Sequence, residues 1–178
     1  GAILPLNKNA VKSIAVIGPL ADSIHWDWYG GTPPHAVTPL QGIKDAVGPG
    51  VKVKYAPDEI GNAAIEAART SDVAVVVVGN DPTCGPDMAH DWHDTPDGGG
   101  TLPCTAASDG REGRDRESIT LAQEQLVKQV YAVNPKTIVI LVSSFPFAIN
   151  WSEANVPAIL HMAHSSQDEG TALAQVLF

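Results

Sequence analysis

The sequence holds only two cysteines in 178 residues, Cys84 and Cys104. They form no CxxC pair and show no zinc-site spacing, which excludes a structural zinc knuckle and a thioredoxin-like redox motif. Both fall in one irregular stretch. They are candidates for a disulfide closing that stretch in an oxidising compartment, the alternative being two unpaired thiols in a reducing one. Positive charge is also scarce: 11 Lys and Arg stand against 20 Asp and Glu, a net charge of -9. Phosphate backbones are held by clustered Lys and Arg, so this balance argues against a nucleic-acid partner, and the acidity itself serves solubility. No apolar run reaches the roughly 18 residues that cross a bilayer, so no membrane span is expected. The longest, residues 73–78, has the length of a strand. No basic-then-apolar leader opens the chain. Its two ends, Gly1-Ala-Ile-Leu-Pro5 and Val176-Leu-Phe178, read as boundaries of a piece of a longer protein, with any signal segment upstream.

What is present is a globular pattern. Ser13-Ile-Ala-Val-Ile-Gly18 is a β-branched apolar run ended by Gly18-Pro19, the mark of a buried strand. Thr38 followed by Pro39 starts a helix over residues 39–47, which Gly48-Pro49-Gly50 stops. Residues 51–55 alternate apolar and polar, which predicts a strand near a sheet edge. An Ala-rich helix over 62–69 leads into Asp72-Val-Ala-Val-Val-Val-Val78, apolar on both faces and therefore expected in mid-sheet. Helical spacing returns over 119–133, with Glu124 and Lys128 at i,i+4. Strands over 137–142 and 157–161 and a last helix from Asp168 complete the chain. Alternating strands and helices predict a single α/β domain over 1–178: a three-layer sandwich on a mostly parallel, flavodoxin-like sheet of about five to six strands. Ligands of such folds sit at the carboxyl ends of the strands.

Residues 80–118 form a 39-residue stretch rich in Gly, Pro and Asp. Connections of that length inside a domain are usually functional, so this is the expected active-site loop. It ends in Asp109-Gly-Arg-Glu-Gly-Arg-Asp-Arg116. Arg114 and Arg116 can hold Asp115 by fork-like hydrogen bonds, and Gly113 lets the Glu112 carboxyl point outward. A half-buried carboxyl there would keep its proton near neutrality, as a general acid must; the plainer reading is a solvated charged turn. Trp26-Asp-Trp-Tyr29 and Gly30-Gly31 leave the first strand, where rings can stack on a flat ligand face and glycines admit a ligand to the backbone. Tyr29 and Gly30 are the candidates for substrate contact, the alternative being core or interface packing. His90-Asp-Trp-His93 is a weak metal pattern, so no metal is assigned, and Trp92 and His93 are instead candidates to line a ligand pocket. His161 reads as a satisfied core or rim residue. Gly98-Gly-Gly100 lacks the Lys-Ser/Thr of a phosphate loop, and Gly18-Pro19-Leu20 lacks the GxGxxG turn of a dinucleotide or flavin site, so no cofactor is assigned.

The run Glu112-Gly-Arg-Asp-Arg116, the stretch Asn134-Pro-Lys-Thr-Ile-Val-Ile-Leu-Val142 and Val156-Pro-Ala-Ile-Leu160 resemble family 3 glycoside hydrolases. So do Ile14-Ala-Val-Ile-Gly-Pro19, Thr38-Pro-Leu-Gln-Gly-Ile43 and Asp72-Val-Ala-Val-Val-Val-Val-Gly79, and the β-xylosidase and β-glucosidase members are the most similar. The resemblance implies the second, α/β sandwich domain of an enzyme whose preceding barrel domain carries the aspartate nucleophile and most contacts to the sugar. It implies that Glu112 is the acid/base glutamate, supported by Asp115 and Arg116, with Asp109 and Glu117 as rivals. It implies retaining hydrolysis of a terminal β-linked sugar by a secreted or periplasmic enzyme, with two carboxyls about 5 Å apart. No segment matches the nucleophile motif, so the chain alone is expected to be inactive. The usual Gly-Gln-Glu-Gly-Gly reads Ser166-Gln-Asp-Glu-Gly170, with Asp168 where Glu is common. A sugar-binding or structural module is the competing expectation.

Overall fold

The computed structural model describes residues 3–24, 33–57, 62–80, 117–143, 146–164 and 167–178. Strands β1 (Ser13–Ile17), β2 (Lys52–Ala56), β3 (Val73–Gly79), β4 (Thr137–Val142) and β5 (Ala158–Met162) form one sheet in the order β2-β1-β3-β4-β5. Every pairing is parallel. Helices α1 (Pro39–Val47), α2 (Ala63–Arg69), α3 (Glu124–Val133), α4 (Asn150–Asn155) and α5 (Glu169–Leu177) fill the connections.

Period-two alternation of the strands divides the interior in two. Ile14, Val16, Val73, Val75, Val77, Ile138 and Ile140 face Leu40 and Ile43 of α1 and Leu173 and Leu177 of α5. Ala15, Ile17, Ala74, Val76, Val78, Val139 and Leu141 face Ala64 and Ala68 of α2 and Leu126, Val127 and Val130 of α3. All seven residues of β3 are buried, as a strand covered on both faces must be. Each such Val or Leu contributes roughly 1.5–3 kcal/mol. The expected layers are therefore present, and β2 lies at a sheet edge with Lys52 and Tyr55 exposed.

The Thr38 side chain accepts from Gln41 N at 3.1 Å and Pro39 opens α1, as its N-terminal signal predicts. On the α1/α5 face the two helices cross at Gly42 and Gly170. A methyl group on Gly42 would strike the Gly170 carbonyl, and one on Gly170 would strike Thr38 O.

At the amino edge of the sheet, side chains staple the strand starts. Asp72 accepts from Lys12 N at 2.8 Å and Ser13 N at 2.9 Å, while its own N–H donates to Ser13 Oγ at 3.0 Å. Asn134 Nδ2 donates to Ala68 O and Ser71 O, both at 2.9 Å, joining the ends of α2 and α3. Thr137 Oγ1 donates to Asn134 O at 2.6 Å.

One expectation needs correction. The helix predicted from residue 119 begins at Glu124. Before it, Ile119 O accepts from Ala148 N at 2.7 Å and Thr120 bridges Ala148, so the chain is drawn into a pairing that a helix could not make. A short helix, α4, also occupies a stretch with no helical period of its own. It rests on α3: Glu124 Oε1 accepts from Ser152 N at 3.2 Å and from the fully buried Ser152 Oγ at 3.1 Å. Tyr131 and Trp151 meet edge to face at 5.7 Å, with Lys128 over the Trp151 ring.

Candidate active site

The carboxyl edge of the sheet is where the strand order sets apart two neighbours. The chain leaving β1 goes to α1 on one face, whereas the chain leaving the adjacent β3 goes to α3 on the other. Such a switch point opens a crevice between the two exits. Both exits are glycines at positive φ, Gly18 at 120° and Gly79 at 145°. A Cβ on Gly18 would collide with Val77 O, and one on Gly79 with Val142 O, so each exit is pressed against the neighbouring strand.

From Gly18 the chain turns through Ala21 N to Gly18 O at 3.2 Å. It then meets α1 again, where Leu40 N donates to Ala21 O at 2.8 Å and Thr38 Oγ1 to Asp22 Oδ1 at 2.8 Å. At the other exit, Asn80 N donates to Val142 O at 3.2 Å and Asn80 O accepts from His164 Nε2. Ser143, fully buried at the end of β4, donates its N–H to Met162 O at 2.9 Å. His161 Nε2 lies 3.2 Å from Ser143 Oγ and 3.1 Å from Ser143 O. His161 is thus an exposed, bonded residue of the rim, as expected.

Between β5 and α5, Val37 N donates to Gln167 O at 2.7 Å and Gly170 N to Val37 O at 2.8 Å. Asp168 lies 3.2 Å from His35 Nε2, each about half exposed at 54%. Glu169, only 3% exposed, sits in the first turn of α5, where the helix dipole favours a carboxylate.

The sequence-predicted site residues belong to the chain that leaves these two exits. Tyr29 and Gly30 follow β1; Cys84, Trp92, His93, Cys104, Asp109, Glu112, Asp115 and Arg116 follow β3. All ten lie outside the described residues, as do Trp26 and Arg114. Glu117, the remaining rival, is described and exposed. Among the described residues no group of three or more His, Cys, Asp or Glu could hold a metal ion. Sequence reasoning missed Asn80, Ser143, His164 and Glu169. They make up four of the seven buried polar residues described, and all four lie at the carboxyl edge. For Asn80 and Ser143 the available signal was a polar residue directly after an apolar strand.

The family described as the glycosyl hydrolase family 3 C-terminal domain matches residues 1–178, the whole chain. The chain belongs to this family. A β-xylosidase from Formosa agariphila is 32% identical over 195 residues, covering 99% of this chain and 23% of that protein. A periplasmic β-glucosidase from Salmonella typhimurium is 29% identical, covering 98% of this chain and 24% of that protein. The crystal structure of a family 3 β-glucosidase from Bifidobacterium adolescentis superposes with a TM-score of 0.69 at 27% identity, over 99% of this chain and 24% of that one. The chain thus spans about a quarter of the length of the relatives it matches. As a family 3 C-terminal domain, it has its topological switch point between the strand exits that lead, along the sequence, to Tyr29 and to Glu112.

Proposed function

We propose that this domain serves a retaining β-glycosidase that removes terminal β-linked xylosyl or glucosyl residues, and that it supplies Glu112 as general acid/base to a site shared with a barrel domain. The family match over the whole chain carries this reading, and relatives named β-xylosidase and β-glucosidase support it. Their greater length is consistent with a separate domain holding the nucleophile. The reaction needs two carboxyls about 5–5.5 Å apart, one ionised to attack the anomeric carbon and one protonated to assist departure. Glu112, followed by Gly113 and near Arg114 and Arg116, suits the second task. Tyr29, Gly30, Trp92 and His93 are the proposed sugar and aglycone neighbours, with Asp115 and Arg116 in support. A periplasmic or extracellular location accords with the Salmonella relative's name, and there Cys84 and Cys104 would be free to pair. In the full-length chain, Glu112→Ala should lower kcat/KM on a glycoside with a poor leaving group by about 10²–10⁴. A loss of only a few fold would remove Glu112 from this role.

A further inference from the structure

We draw no further inference here: the strongest candidate, the partly buried apolar sheet edge formed by β5 from Ala158 to Met162, carries nothing because nothing in the structure shows what covers it.

Discussion

Single residues at the two edges of the sheet do different work. Asp72 closes the amino edge, and the backbone N–H groups of Lys12 and then Ser13 hold its carboxyl below the usual carboxylate range. A depressed folded value means stabilisation that is present above the unfolded value and lost as pH falls through the folded one. Urea unfolding should therefore show Asp72→Asn less stable than the native chain at pH 6, with the gap narrowing below about pH 4. A gap that stays constant down to pH 2 would contradict this account. At the opposite edge, Gly79→Ala forces a methyl into the Val142 carbonyl at φ 145°. The expected cost is more than about 2 kcal/mol by chemical denaturation. Residues of this kind were partly legible in the sequence. Gly79 ends an apolar run and so signals a strand end. The bond from Asp72 to Ser13 joins positions 59 apart, and no local pattern announces it.

At the level of elements, the sequence was most readable where one signal had no competitor. Thr38-Pro39 set the start of α1, and the unbroken apolar run of β3 set its central place. The Glu124–Lys128 pair expected from i,i+4 spacing is formed at 3.4 Å. The start of α3 was misread because a tertiary pairing to Ala148 outweighed a helical period that continues through Leu121. Helix α4 was missed because its support is external, from Glu124 and Tyr131 of α3. The α1/α5 crossing belongs to the same class, since two glycines 128 residues apart become one contact only in the fold. Gly42→Ala must push these helices apart, so thermal unfolding should report a loss of about 2–3 kcal/mol. A variant as stable as the native chain would mean that the crossing can relax without cost.

Over the whole molecule, the candidate site was legible as a pair of connections. Tyr29 and Glu112 lie on the chain leaving β1 and β3, and the strand order makes those two exits neighbours. Which side chains meet there depends on approaches that the one-dimensional pattern does not encode. The five named strands, the five named helices and the residues assigned to both apolar layers all lie outside residues 81–116. Replacing 81–116 with a short Gly/Ser linker should therefore leave the melting temperature within about 5 °C of the native value, since halving a loop changes closure entropy by only about 0.6 kcal/mol. A drop well beyond that, followed by circular dichroism, would show the replaced stretch to be part of the scaffold.

The side-chain staples at the amino edge have a consequence for how such a domain can diversify. Asp72, Asn134 and Thr137 knot together the ends from which the strands set out, so register is secured at the far side from the crevice. Lengthening, shortening or rewriting the connections at the opposite side leaves that knot untouched. Insertions should then be tolerated better at the carboxyl edge of the sheet than at the amino edge, and the variable lengths of related enzymes should concentrate accordingly.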